Sequence, residues 1–420
     1  MIPELRTAFN SSFSNQDYAA LLADLARRCD GPIQFRVAET PIFVKKTLLD
    51  TLAADGAELA RYLIEDRAHL DAARHAIPAG FEVATETPHP NFLTADFALI
   101  RSASGQLEPK LVEIQAFPSV FAYQVELSNA YLAAFHLPRT LGIFLGGLDE
   151  SSYWDLFRRA VMGRHAPENV VLAEIDPLHQ KTYPDFHVTS QRLGIPIVDI
   201  TQIEPVGDKL KYRDKAGRLV PIDRIYNRAI ADELIARNVR LSFDLGRAWD
   251  VEWAGHPNWY FLISKFSIPW LSRSKPFSVV PPAVFVDDFL VGSGRRFLAE
   301  SEVSLPVDVG KETAYNDLLL KPLFSFAGKG IEFEPTQARL EQIPPAERSG
   351  YLLQQRMRFE PTIETPFGLT QAEIRILYLW PDEGALTPAI SLVRLGRGKM
   401  MGVDHNRNLE WVGGSAAFYI

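Results

Sequence analysis

The chain has 420 residues, 47% of them hydrophobic and 23% charged, the proportions of a globular protein long enough to form two or three lobes. Its 44 Lys and Arg against 52 Asp and Glu leave a net charge of −8, which disfavours general binding to nucleic acid or an anionic membrane and still permits a local basic cleft. The single cysteine, Cys29, excludes an intrachain disulfide and a multi-thiolate metal site. No apolar run is long enough to span a bilayer, and the first residues do not resemble a signal peptide, so the sequence reads as soluble and cytoplasmic.

Helices are expected over the first 80 residues. Ser14 with Asp17 three positions later has the form of a capping box, and Tyr18, Leu21, Leu22, Leu25 and Cys29 follow at helical spacing. A second helix is expected to start at Thr40-Pro41, with proline in its first turn, and a third covers about 57–70. Residues 95–100 and 110–115 alternate around the turn residues of 102–105, which predicts a β-hairpin. Short apolar runs at 141–145, 169–175 and 194–200, separated by helical segments, predict a small parallel sheet covered by helices. Gly146-Gly147 lacks the third glycine of a dinucleotide fingerprint. Lys209 to Val220 reads as a polar hairpin. Beyond Pro257 the chain is rich in short strands, with a helix near 287–300.

The most informative stretch is 318–333. A strand ends in Lys321, a loop of small residues carries Ser325, Ala327, Gly328, Lys329 and Gly330, and a second strand begins at Ile331. Small residues let backbone N–H groups approach phosphate oxygens, and lysines supply point charges; a glycine hairpin with solvated lysines is the plainer reading. Tyr351 to Met357 looks like a buried strand that turns polar at Gln354-Gln355, suited to an adenine edge. On 372–379 the alternation sends Glu373 and Arg375 to one face, and Arg394 repeats the pattern on 392–395. Asp404, Asn406, Asn408 and Gly413-Gly414 close the series.

This order of motifs over 257–420 resembles the nucleotide-binding half of ATP-grasp enzymes. The earlier hairpin, with Asp96 followed by Glu113 and Gln115, is similar to the metal-binding hairpin of glutathionylspermidine synthases, a permuted ATP-grasp group; Gln115 stands where that family has Asn. The resemblance implies an α+β / α/β, ATP-grasp-like fold: two α+β lobes gripping ATP, a small parallel α/β domain and a helical N-terminal segment. It implies units over 1–140 (helices and metal hairpin), 141–250 (small α/β domain) and 251–420 (nucleotide lobe, lid about 318–361). It implies ATP and Mg²⁺ as cofactors, Mg²⁺ being held by Asp96, Glu113 and Gln115, a hard oxygen set. The nucleotide would be bound by Lys321, Ser325, Gly328, Lys329, Gly330, Gln354, Gln355, Met357 and Lys265, with Lys275 a further phosphate contact.

Arg375 and Arg394 are the candidate catalytic arginines. Arg228, at the end of a Tyr-Asn-Arg strand, would fork onto a substrate carboxylate or phosphate, or else serve as an inter-lobe ion pair. Residues 118–123, directly after the hairpin, line the acyl pocket or form a simple turn. The implied activity is carboxylate–amine ligation through an acyl phosphate, with small-molecule or peptide carboxylate and amine substrates and no nucleic-acid or membrane partner. A non-catalytic binding protein of the same fold and a phosphotransferase are the rivals. The nine histidines show no metal spacing, and no nucleophile motif supports covalent catalysis.

Overall fold

A computed structural model of the chain describes every residue except 103, 275–276, 325–329, 402–405 and 407. Seven helices organise the first half: α1 (Pro3–Ser12), α2 (Asn15–Arg28), α3 (Lys46–Glu65), α4 (Arg67–Arg74), α5 (Phe121–Ala134), α6 (Glu150–Met162) and α7 (Tyr183–Leu193). The Ser14 hydroxyl accepts the Asp17 N–H at the start of α2, and Leu21, Leu25 and Cys29 are buried beneath it. The strands group by sheet. First come β1 (Ile42–Val44), β2 (Phe92–Arg101) and β3 (Leu107–Gln115). The middle of the chain gives β4 (Val170–Glu174), β5 (Ile197–Asp199), β6 (Glu204–Val206), β7 (Lys209–Arg213), β8 (Leu219–Ile222), β9 (Arg224–Asn227) and β10 (Glu252–Ala254). Then follow β11 (Ala283–Phe285), β12 (Leu318–Pro322), β13 (Glu332–Phe333) and β14 (Tyr351–Gln355). The last are β15 (Ile363–Thr365), β16 (Gly368–Leu379), β17 (Thr387–Gly396) and β18 (Gly413–Tyr419).

The largest sheet has the order β1-β18-β17-β16-β2-β3, with β15 paired to β16. The expected hairpin therefore lies in one sheet with strands after residue 370, β2 running antiparallel to β16. One face of β16 is apolar from Ala372 to Ile376, where Ile374 and Ile376, followed by Tyr378, pack with Leu49 and Leu52 of α3. The opposite face changes character along its length. Leu377 and Leu379 join the core around α5 and α6, whereas Glu373 and Arg375 line a cleft. Period-two alternation sets the faces.

The small sheet β10-β9-β4-β5 is parallel, and β4 is buried along its whole length, as a strand covered on both faces must be. The polar hairpin β7–β8 belongs to a separate three-stranded sheet with β6.

Three expectations are corrected. Thr40-Pro41 opens no helix: Ile42–Val44 forms β1, parallel to β18, and helix begins only at Lys46. The strand is too short for alternation to reveal it, and its three side chains are all buried. The run 141–145 is not in the small parallel sheet; Gly142 bridges Tyr419 and Phe144 bridges Ile390 along the large one. The sheet carrying residues 318–355, ordered β11-β14-β12-β13, takes its first strand from Ala283–Phe285, upstream of the expected start at 318. It has a core of its own, in which Val284, Val286, Phe289 and Leu298 meet Leu318, Leu320 and Leu353. The helical stretch 286–300 supplies the apolar area that the 318–361 segment lacks by itself.

Candidate functional site: a basic cleft between two sheets

A cleft of about 1500 Å³ is bounded by three walls. Asp96, Glu113, Gln115, Glu373, Arg375 and Arg394 line it from the large sheet. From the second wall come Leu319 and Lys321 of β12, Ile331, Phe333 and the 356–359 segment. A third wall is built by α2, residues 32–37, Lys181 and residues 397–401.

Arg375, Asp96 and Glu113 form one row across three strands, since Asp96 is the register partner of both. The Asp96 carboxylate is buried. Its Oδ1 accepts Arg375 Nε at 2.5 Å and its Oδ2 accepts Arg375 Nη2 at 2.7 Å, a bidentate fork. Arg394 Nη1 donates to the same Oδ2 at 3.0 Å and also to Glu373, its own register partner. Burial pushes the Asp96 carboxyl up, but the two guanidiniums together hold it below the usual carboxylate value. For Glu373 burial prevails and raises it, the pull of Arg394 being a partial offset.

Above this row stands Lys321, 4% exposed. Burial lowers its ammonium from 10.5 to about 8, with Lys265 adding to the effect and Glu113 opposing it. Lys265 Nζ lies 3.0 Å from Glu113 Oε1. Gln354 is the register partner of Leu319, so it shares the cleft face of its sheet. It is fully buried, and neither amide atom has a hydrogen-bond partner among the described residues. A buried unsatisfied amide costs about 1–3 kcal/mol.

Among the nucleotide candidates, Lys321, Lys265 and Met357 line the cleft. Gln355 pairs with Leu318 on the other face of β14, and Gly330 sits in a turn at φ +79° against Pro322 and is not among the lining residues. Ser325, Gly328 and Lys329, like Lys275 and Asp404, lie outside the described residues. Arg375 and Arg394 reach the cleft; Arg228 does not. Its Nη1 donates to the Ser119 carbonyl and lies 3.2 Å from Asp185 Oδ2, with the guanidinium over the Phe186 ring. It ties the small sheet to the base of α5 through the Ser119 carbonyl, while its ion-pair partner Asp185 lies on α7 of the same unit. Residues 118–123 are not among those lining this cleft, and Phe121 and Tyr123 are core residues. Ser119 instead links two arginines, its hydroxyl accepting Arg375 Nη1 at 3.2 Å.

The hairpin's oxygen donors only partly suit a cation. Both Asp96 oxygens are taken by guanidiniums, and among the described residues no group of three His, Cys, Asp or Glu side chains could hold a metal ion. Glu113 and Gln115 do face the cleft together. Asn406 is buried, its Oδ1 accepting the N–H groups of Arg397 and Gly398 and its Nδ2 donating to the Met400 carbonyl, so it shapes the 397–401 turn. The sequence reading missed the third wall. Arg36, Lys181, Arg397 and Lys399 come from separate segments with no shared spacing, and only the fold gathers them.

No family model and no curated protein sequence matches the chain. Among solved structures, a glutathione synthetase-like effector from Globodera pallida, in its apo form, aligns with a TM-score of 0.51 at 12% identity, covering 98% of this chain and 99% of its own. At that identity the likeness concerns the fold: the chain is a mixed α+β protein built like a glutathione synthetase-like one.

Proposed function

We propose that the chain is an ATP-dependent carboxylate–amine ligase of the ATP-grasp kind. The observation that carries this reading is the convergence of Lys321 from one sheet and Lys265, Arg375 and Arg394 from beside and on another upon a single cleft. Phosphoryl transfer needs little covalent help from a protein. It needs positioned positive charge along the phosphates and at the reacting oxygens. Lys321 and Lys265 serve the phosphates, and Met357 lines the cleft beside them.

In this scheme a substrate carboxylate oxygen bonds to the γ-phosphorus while the bond to ADP breaks, giving an acyl phosphate. An amine nitrogen then bonds to the acyl carbon, phosphate departs with the C–O electron pair, and the ammonium proton passes to solvent. Arg375 and Arg394 stabilise the oxygen charge that develops in both steps. Mg²⁺ would be held by Glu113 and Gln115 with phosphate oxygens completing its shell; when bound it neutralises charge on the β- and γ-phosphates. Asp96 is left to hold the arginines.

The occupation of both Asp96 oxygens favours a second reading, a nucleotide- or peptide-binding protein of this fold without turnover. Incubation with Mg-ATP and pooled carboxylates and amines separates the readings. The ligase releases ADP and inorganic phosphate in equal amounts as amine is consumed. A phosphotransferase releases ADP alone, and a binding protein releases neither.

A further inference from the structure

The third wall bears on the substrates. Among the described residues the cleft is lined by ten cationic side chains and three acidic ones, in a chain whose net charge is −8. All three acids are already ion-paired: Asp96 and Glu373 with the arginines, Glu113 with Lys265. A bound triphosphate accounts for the cations beside it and leaves those on the third wall unanswered. There, Arg36 is paired with Glu39. Arg397 donates to Thr370 Oγ1 and the Glu410 carbonyl. Neither Arg397, Lys181 nor Lys399 has a carboxylate partner among the described residues. The same cleft is also lined by Leu22, Ala26, Pro32, Ile33 and Phe35.

We propose, building on the ligase reading, that this wall receives the amine substrate, and that this amine carries a carboxylate next to an apolar side group. That is the chemistry of a hydrophobic amino acid or a short peptide ending in one. Lys181 and Lys399 take the carboxylate, and the apolar residues of α2 and 32–37 cover the side group. Among the described residues a polyamine finds no acid on this wall, and cation beside cation in a partly enclosed cleft is costly.

The test is calorimetry on the full chain with a non-hydrolysable ATP analogue present, using glycyl-leucine, spermidine and phosphoethanolamine as probes. Glycyl-leucine is expected to bind and spermidine not to. The double variant Lys181→Glu/Lys399→Glu, with an unchanged thermal midpoint, is expected to bind glycyl-leucine at least about tenfold more weakly, the loss of a charge-assisted contact. Absence of glycyl-leucine binding, equal or tighter binding of spermidine or of phosphoethanolamine, or an affinity untouched by the double variant overturns the proposal. The ligase reading is separable from it. ADP release driven by spermidine and not by amino acids sinks this inference and leaves the ligase standing. Glycyl-leucine binding as stated, with no ADP release from any pool, does the reverse.

Discussion

Asp96 and Arg375 face each other across β2 and β16 and are joined by two parallel hydrogen bonds, although 279 positions separate them in sequence. Removing one partner of a buried pair leaves the other charge uncompensated, at about 3–5 kcal/mol. Asp96→Asn is therefore expected to lower stability by that order, and a double-mutant cycle with Arg375→Gln should recover a substantial part of it. Because the folded Asp96 sits below its ordinary value, its contribution is present above the ordinary carboxylate range and fades as pH falls through the folded value. The gap between wild type and Asp96→Asn should thus narrow in acid. Additive losses in denaturant melts would show that the pair is not coupled.

Lys321 titrates near 8 in the fold instead of 10.5. The unfolded chain then binds more protons between those values, so this burial cost is fully present below about pH 8 and is relieved as pH rises towards 10.5. Lys321→Met should be more stable than wild type at pH 7, by on the order of 2 kcal/mol, with the advantage shrinking at pH 10. The same substitution should weaken ATP binding about tenfold or more.

Binding of ATP restores a counter-charge to that ammonium. At pH 8 the wild type should take up roughly half a proton per ATP bound, read from calorimetry in buffers of different ionisation enthalpy. Lys321→Met should take up none. Equal uptake by both proteins would place the titrating group elsewhere.

Glu113→Gln keeps the size of a cleft residue and removes the charge facing Lys265. Turnover is expected to fall by about 10²–10³, while ATP affinity measured without Mg²⁺ changes little. Wild-type turnover in this variant would move the cation site off the hairpin.

Gly56 lies on α3 against the large sheet, and a Cβ there would come within 2.2 Å of the Tyr378 hydroxyl and 3.0 Å of the Ala95 Cβ. That hydroxyl donates to the α3 backbone at the Ala53 carbonyl. Alanine normally favours a helix over glycine by about 1 kcal/mol. Here overpacking, at about 1–3 kcal/mol, works against it, and Gly56→Ala should lower the thermal midpoint.

The hairpin and the Glu373/Arg375 face were legible because they alternate with period two, and the parallel run at 170–174 because it is a short continuous apolar run buried on both faces. What escaped was set at long range. β1 is three residues long and exists because β18 offers an edge. Residues 141–145 read like a parallel strand, yet their partners are Tyr419 and Ile390. The arginines at 375 and 394 were visible as a patterned pair, whereas the metal role of Asp96 was implied by the resemblance, and an acid on a strand does not announce that two cations from the far end of the chain will pair with it. Arg36, Lys181 and Lys399 had no local signature at all.

The interleaving of the large sheet also bears on how the protein is made. β2 and β3 are synthesised early, yet their hydrogen-bonded neighbour β16 begins only at residue 368. Until then the β2 edge stays unpaired, and Asp96 waits without its arginines. A ribosome adding about 5–20 residues per second takes many seconds over that interval. The small sheet, β4 to β10, can close meanwhile. A nascent chain halted before residue 368 should thus hold one finished lobe and one sticky β-edge, the form in which a chaperone would meet it.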